Sequence, residues 1–388
     1  MRDIRQNFWK IYSYSFLSNF WLIAPILIPF YKSNGLDSTQ IFTVQAVYFA
    51  AFLIFEIPSG YLADVIGRRK SLILGAFSLP IGVAVYALSC GFYSFALAEI
   101  IIAFAASLRS GTDSALIYDT LLQLNQEYEY KNFGGRSVFY ARAGDSTASA
   151  LGGLFALITL RLPFYINIGS SIFMIPLAIS LVEPERERRV PKNHFTEILR
   201  IVKYCFAHAQ IRSLTIYHSL LFSTGIIGVW SYYMYYGEVG LSIGFYGILF
   251  AIFSLCIAFG AKQSHVLESI FDRKVSLCLL LLISPIFLGL GFVRSVFLIP
   301  FIFANGFMWG FSQPLFAHYI NQLVESDIRA TVLSVSSMSC ALSFVVLAPI
   351  FGKLVDAYSL SCAYIILAVF FFIFGAMSIL LLKKHRVI

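Results

Sequence analysis

Twelve long apolar runs, separated by short polar segments, dominate this sequence. A helix needs about 20 mostly apolar residues to cross a bilayer, and each run is long enough. Only 12% of the 388 residues are charged, roughly half the fraction in a soluble domain. The pattern therefore predicts an all-α integral membrane protein with 12 transmembrane helices. The runs lie at about 8–30, 39–61, 70–89, 93–123, 134–159, 163–182, 212–236, 241–262, 275–293, 296–323, 330–355 and 360–382.

The positive charge of the chain indicates its topology. Most of the 28 Lys and Arg residues fall in alternate segments between the runs, together with both termini. The positive-inside rule then places both termini in the cytoplasm. The net charge of +8 is explained in this way without a nucleic-acid partner.

Several function classes lack their motifs in this sequence. The six cysteines are scattered without metal-binding spacing, and no GxxxxGK[ST] loop for a nucleotide is present. We find no constellation of a nucleophile and a base. The sequence therefore predicts no enzyme activity, no metal and no cofactor.

The longest polar stretch divides the runs into six plus six. Within it, apolar residues recur at helical spacing around Arg200 and Lys203, which predicts an amphipathic helix on the membrane surface. The predicted domains are an N-terminal six-helix bundle at 1–182, a cytoplasmic linker with this helix at 183–211, and a C-terminal six-helix bundle at 212–388.

The junction between the second and third runs holds the most informative motif. Gly60 permits close helix approach, and Gly67 supplies the conformational freedom of a turn. Arg68 and Arg69 face the anionic leaflet, and Asp64 can pair with a base or with a helix N-terminus.

These five residues match the signature loop of the major facilitator superfamily, which the chain resembles over its whole length. The resemblance implies the fold of that superfamily, with two six-helix bundles, a central cavity and alternating access. It also implies that the loop is a gate, with Asp119 at the end of the fourth helix placed to pair with its bases. Glu56, one turn before the loop, is predicted to serve the same gate.

The fifth run resembles the pattern of the drug/proton antiporter branch in part. Gly144, Gly152 and Gly153 match the pattern, whereas Ala148 and Ser149 stand where that branch has glycine and proline. The resemblance implies proton-coupled export, and the departures leave the direction of transport open.

Among the charged residues within predicted spans, five are candidates for a functional site, since charge inside a membrane is costly and indicates function by default. On a continuous fourth helix Glu99, Arg109 and Asp113 share an arc of roughly 80°. Arg142 and Asp145 lie three apart on one side of the fifth helix. Similar depth predicts the ion pairs Asp113–Arg142 and Arg109–Asp145. Such a cluster can be a structural lock, or its protonation can free an arginine for an anionic substrate or couple transport to protons.

The second half offers neutral polar and aromatic groups instead. Asn305, Trp309 and Gln313 are spaced by four on the tenth helix and share a face, and His218 lies on the seventh. Asn19 on the first helix is a candidate cavity contact. A cavity that is charged on one half and aromatic on the other suits an amphiphilic organic solute, including an organic anion.

The sequence therefore predicts a secondary active transporter for a small-molecule substrate, with protons as the coupling ion and efflux as the direction. It is expected to work as a monomer in the lipid bilayer, without a nucleic-acid partner. The resemblance implies a bacterial inner (plasma) membrane. Proton-coupled uptake of a metabolite or metal chelate is the alternative, and a non-transporting membrane sensor is the remote one.

Overall fold

A computed structural model describes residues 4–185, 194–325 and 328–387. This described part is helical throughout, without a β-strand, which confirms the predicted all-α class. Residues 186–193 of the predicted linker lie outside it. The α-helices are α1 (Asn7–Ser18), α2 (Leu27–Ser33), α3 (Ser38–Ile66), α4 (Arg68–Leu88), α5 (Phe92–Arg109), α6 (Thr112–Gln123), α7 (Tyr130–Ala156), α8 (Leu162–Ile172), α9 (Met174–Ser180), α10 (His194–Ala207), α11 (Ala209–Glu238), α12 (Tyr246–Ile270), α13 (Arg273–Leu279), α14 (Ile283–Phe292), α15 (Ile299–Gln322), α16 (Arg329–Ala357) and α17 (Leu360–Lys384).

Ten helical segments of the described part are long and apolar enough to cross a membrane. They coincide with ten of the twelve predicted spans. The fifth predicted span is the long helix α7, whose apolar character is interrupted by charged residues such as Arg142 and Asp145. The first predicted span is not one continuous helix.

The first span breaks after α1, which corrects the prediction of an uninterrupted helix. A short 3₁₀ turn at Ala24–Ile26 separates the break from α2. Pro25 stands at the second residue of this turn. Proline has no N–H to donate and its ring clashes with the carbonyl four residues earlier, so it disfavours a helix through the preceding turn.

The fourth span is also interrupted, at the two residues between α5 and α6. Ser110 leaves the helical conformation, and Gly111 takes a left-handed one with φ of 70°. The prediction assumed one continuous helix from 93 to 123. The interruption invalidates the angular positions that were projected across it from Glu99 to Asp113.

The contacts of the chain define two compact units. Unit 1 comprises the described residues of Met1–Leu36, Val47–Val190 and Ser242–Ala251. Unit 2 comprises those of Asp37–Ala46, Pro191–Leu241 and Ile252–Ile388. The predicted domain boundaries did not include an exchange of short segments, and they stay a prediction.

The segment Asp37–Ala46 is attached to unit 2 by a helix cap. The carboxylate of Asp356, near the end of α16, accepts hydrogen bonds from the N–H groups of Ser38 at 2.9 Å and Thr39 at 2.7 Å. It also accepts one from the Thr39 hydroxyl at 2.6 Å. A negative charge at a helix N-terminus is favourable, so Asp356 stabilises the first turn of α3 from a distant part of the chain.

Helix α10 packs on protein with its apolar side. Ile201 and Cys205 are buried, and the helix contacts α11 and α16 in unit 2. Burial raises the pKa of the Cys205 thiol above its ordinary value, which is typical of a packing residue rather than a nucleophile. Arg200 and Lys203 are exposed on the other side. The helix was predicted to lie on the membrane with its apolar residues, but these two are covered by unit 2.

Candidate functional site

The loop between α3 and α4 is built around Gly67, whose φ is 107°. This conformation favours glycine, which confirms its predicted role in the turn. The carboxylate of Glu183 accepts hydrogen bonds from the N–H groups of Arg68 at 2.8 Å and Arg69 at 2.7 Å. A Cβ atom at Gly67 would lie 3.0 Å from a carboxylate oxygen of Glu183. Glycine is therefore needed both for the turn and for the close carboxylate.

The two arginines of the loop bind neighbouring segments of unit 1. Arg68 Nε lies 2.5 Å from Asp119 Oδ2, and their side chains are only 21% and 13% exposed. This confirms the predicted pairing of Asp119 with a base of the loop. Arg69 donates a hydrogen bond to the carbonyl of Ile179 at 2.6 Å. The loop is thus connected to the ends of α6 and α9.

Three other predicted gate residues have different surroundings. Gly60 is exposed, and a Cβ added there would meet no described atom within 4 Å, so its predicted role in close helix approach is wrong. Asp64 is exposed near the end of α3, and Glu56 is half-buried. The N–H groups at the start of α4, which Asp64 could have bound, are instead bound by Glu183.

Glu99 on α5 is a buried carboxylate surrounded by aromatic side chains. It is 5% exposed, and its Oε1 accepts hydrogen bonds from the hydroxyls of Tyr86 at 2.6 Å and Tyr31 at 3.3 Å. The two hydroxyls lie 2.5 Å apart. The rings of both tyrosines also pack against Phe95. The sequence singled out Glu99 as a buried charge, but not its tyrosine partners from two other helices.

The predicted cluster of four charges is wrong in its pairings. Among the described residues, neither Asp113–Arg142 nor Arg109–Asp145 forms an ion pair. Arg109 donates a hydrogen bond to the Ser18 hydroxyl at 2.6 Å instead. The interruption before α6 is the physical reason for Asp113, because it places this residue in the first turn of a new helix.

Each acid of that set has its own surroundings. The carboxylate of Asp113 accepts hydrogen bonds from the N–H of Ser114 at 2.7 Å and from its hydroxyl at 3.3 Å. Asp145 is half-buried on α7. The Asp145 carboxylate interacts electrostatically with Arg142, whose own side chain is exposed. The two residues lie three apart on one side of the helix as predicted, and among the described residues no ion pair joins them.

The break in the first span is held by a residue that the sequence reading missed. Asn167 on α8 accepts a hydrogen bond from the N–H of Leu22 at 2.9 Å and donates one to the carbonyl of Phe20 at 3.2 Å. The Asn167 side chain thus replaces two backbone hydrogen-bond partners that a continuous helix would supply. Asn19, predicted to contact the cavity, donates back to the carbonyl of Ser15 at 2.8 Å and ends α1.

Two glycines of the antiporter-like pattern allow α7 to contact this broken span. A Cβ atom at Gly144 would overlap the carbonyl of Phe16, and one at Gly152 would overlap the carbonyl of Leu22. Both overlaps are with backbone, so the neighbour cannot rotate away. The pattern therefore has a packing function in this protein whether or not it indicates antiport.

Unit 2 contains the predicted polar and aromatic residues on α11 and α15. Asn305 is buried and donates a hydrogen bond to the hydroxyl of Tyr232. The ring of His218 stacks on Phe316 with centroids 4.8 Å apart. Gln313 is half-buried on α15.

Some polar atoms of this region have no hydrogen-bond partner among the described residues. They include Trp309 Nε1, Asn305 Oδ1 and the hydroxyl of Thr224. Buried polar groups are normally paired, so such atoms are available to a ligand that reaches them. Trp309 packs against Gly225 and near Phe222, so the three atoms belong to one α11–α15 interface.

Comparison with known proteins identifies the family. The model of the Major Facilitator Superfamily matches residues 13–239 and 214–387. The chain belongs to the major facilitator superfamily. This protein is therefore a membrane transporter and not an enzyme, as predicted.

Relatives agree with this assignment. The quinolone resistance protein NorA of Staphylococcus aureus is 23% identical over 166 residues. That match spans 43% of this chain and 42% of NorA, so the chain aligns with less than half of this relative. The nucleoside transporter NupG superposes with a TM-score of 0.81 at 14% identity, covering 99% of this chain and 100% of NupG. A bacterial homologue of the lysosomal transporter Spinster gives 0.78 at 16% identity, covering 100% and 98%. These structural likenesses concern the fold.

Proposed function

We propose that this member of the superfamily exports a small amphiphilic or anionic organic solute by alternating access, driven by protons. The observation that carries the proposal is the buried carboxylate of Glu99 with its tyrosine hydroxyls. An ionisable group inside a membrane span is expensive to maintain and indicates function by default. The relative NorA, a quinolone resistance protein, supports export.

The surroundings of Glu99 suit a group that gains and loses a proton during transport. Hydrogen bonds from Tyr86 and Tyr31 stabilise the carboxylate when it is charged. Burial stabilises the neutral acid. Because the two effects oppose each other, a modest change in the surroundings can shift the balance. Glu99 lies seven residues into α5, which places it about 10 Å along the helix from its first residue.

The loop around Gly67 is proposed as a switch in the transport cycle rather than as a substrate site. Its support is the set of interactions that Arg68 makes with Asp119 and that Glu183 makes with the start of α4. The polar atoms at the α11–α15 interface are proposed as substrate contacts. We further infer that the protein works as a monomer in a bacterial inner membrane, with both termini cytoplasmic.

Proton-coupled uptake is the second candidate. NupG, named as a nucleoside transporter, and a POT family transporter crystallised with a thioalcohol-conjugated peptide both cover nearly the whole chain, whereas NorA covers less than half. A metabolite, or a metal chelate, is the cargo under this alternative.

Proteoliposomes with an imposed pH gradient test the proposal. A quinolone serves as the export probe, and a nucleoside and a short peptide serve as uptake probes. We expect the quinolone to move against the proton flow. The variant Glu99→Gln is expected to lose proton-driven accumulation but to keep the exchange of labelled for unlabelled solute, because exchange needs no net proton movement.

The control is Glu238→Gln, which removes a carboxylate that lies 3.4 Å from Arg294 and is 31% exposed. It should behave like the unchanged protein. If Glu99→Gln retains full proton-driven transport, the role of Glu99 is refuted. If only the nucleoside or the peptide moves, and in the direction of the protons, uptake replaces export.

A further inference from the structure

A cavity of about 440 Å³ lies in unit 2, away from the residues discussed above. Its walls are the second half of α12 and a turn of α15 around Pro314. Its volume lies within the range of about 300–1,000 Å³ that is typical of small-molecule sites. Six polar residues line it: Lys262, Ser264, His265, Glu268, Ser269 and His318.

One face of α12 supplies most of these groups. Lys262, His265 and Glu268 follow each other at intervals of three, and Ser269 follows His265 by four, so they project from neighbouring positions of the helix. Among the described residues, no ion pair joins Lys262 or His265 to a carboxylate. Glu268 is the one acidic residue among the lining residues, and it interacts electrostatically with the hydroxyl of Tyr319.

Ser264 contributes a hydroxyl to the lining of the cavity. This residue lines the cavity and is only 4% exposed. In the described part of the chain its hydroxyl has no hydrogen-bond partner. A hydroxyl in this position can donate a hydrogen bond to an acceptor bound in the cavity.

The opposite wall presents a histidine whose proton can be located. Arg273 Nη2 donates to Gln322 Oε1, and arginine can only donate, so this contact determines which end of the amide is oxygen. The other end, Gln322 Nε2, lies 2.9 Å from His318 Nε2 and must donate to it. His318 Nε2 is thus the acceptor, and its proton is on Nδ1. No described residue accepts from Nδ1, which remains available as a donor.

The donors of the cavity outnumber its acceptors. Lys262, Ser264, His265 and His318 each carry a group that can donate and line the same cavity, and Glu268 is the one lining residue with a negative charge. Several donors around one cavity, one of them the positively charged Lys262, suit a carboxylate or phosphate group.

We propose that this cavity binds a small anion bearing a carboxylate or phosphate group, held by Lys262, Ser264 and His318. The site is separate from Glu99 and from the polar α11–α15 interface, so it does not depend on the proposed direction or cargo of transport. A bound anion would connect α12 to α15, and the site is therefore a candidate for regulation by a solute or by a lipid headgroup. The two sources share the same chemistry.

Calorimetric titration of the full chain in phosphatidylcholine nanodiscs tests the proposal, with inorganic phosphate and citrate as probes at constant ionic strength. We expect at least one probe to bind. Its dissociation constant should rise about tenfold in Lys262→Gln and severalfold in Ser264→Ala, because each loses a direct contact with the anion. The control Lys274→Gln removes an exposed lysine outside the cavity and should bind like the unchanged protein.

A second arm identifies the source of the anion. If the ligand is a lipid headgroup, nanodiscs containing phosphatidylglycerol should raise the melting temperature of the unchanged protein but not that of Lys262→Gln. This result is expected even when the free probes do not bind. Ser264→Ala removes a single oxygen and keeps the test valid should Lys262→Gln fail to fold. Two outcomes overturn the proposal: no effect of any probe or lipid, or equal effects in the unchanged protein and both cavity variants.

Discussion

Removing the carboxylate of Glu183 should loosen the start of α4. Glu183 binds the N–H groups of Arg68 and Arg69 at 2.8 and 2.7 Å, and these belong to the four N–H groups that a helix cannot satisfy internally. In Glu183→Ala both lose their partner, while Gly67 keeps its turn. The rest of α4 should be unaffected, because its hydrogen bonds are within the helix.

The size of the effect follows from the capping interaction. Loss of a side-chain cap costs about 0.5–2 kcal/mol, and the carboxylate also interacts favourably with the helix dipole. We expect the free energy of opening of the first turn to fall by about 1–2 kcal/mol. This corresponds to a roughly 5–30-fold larger population of the open first turn.

Hydrogen exchange followed by mass spectrometry measures this opening directly. Peptides that cover the first turn of α4 should exchange faster in Glu183→Ala by that factor, and peptides from the middle of α4 should not. The matched control is Glu185→Ala, because the Glu185 side chain is exposed and, among the described residues, its backbone N–H rather than its carboxylate is bound, to Gln123 at 3.1 Å. Unchanged exchange in Glu183→Ala, or an equal increase in Glu185→Ala, would refute the capping argument.

Two further predictions concern packing and the ion pair of the loop. Gly152→Ala should strongly lower the yield or the melting temperature, because its Cβ atom would overlap a backbone carbonyl. Gly60→Ala should be neutral or should stabilise the protein by up to about 1 kcal/mol, because its Cβ atom would meet no described atom within 4 Å. Equal effects of the two substitutions would contradict the packing argument. A double-mutant cycle of Arg68→Ala and Asp119→Ala, read from the same exchange experiment, should give a coupling of about 1–3 kcal/mol, and a coupling near zero would show that the 2.5 Å pair contributes nothing.

Local features of this protein could be predicted from the sequence because their causes are local. Hydrophobic runs predict spans through the length that a bilayer demands. The turn at Gly67 was predictable because only glycine readily adopts a φ of 107°. The pairing of Asp119 with the loop was predicted from the family resemblance, and it forms with Arg68.

The errors arose where a span was treated as a continuous helix. Projecting Glu99, Arg109 and Asp113 onto one wheel assumed that 100° per residue holds across Ser110, where the helix is interrupted. The first span was misjudged in the same way, although Pro25 was a visible signal. In both cases a single local residue changed the direction of every side chain that follows it.

The sequence by itself determined the membrane-spanning character, the helical class, the family and the loop turn, since hydropathy, glycine conformation and motif spacing are properties of short segments. The tertiary structure alone decided the partners: Tyr31 and Tyr86 for Glu99, Asn167 for the broken first span, and Glu183 for the start of α4. These partners are far apart in the chain. Which buried polar groups come into contact depends on how the helices pack. The spacing of residues along the chain carries no information about this packing.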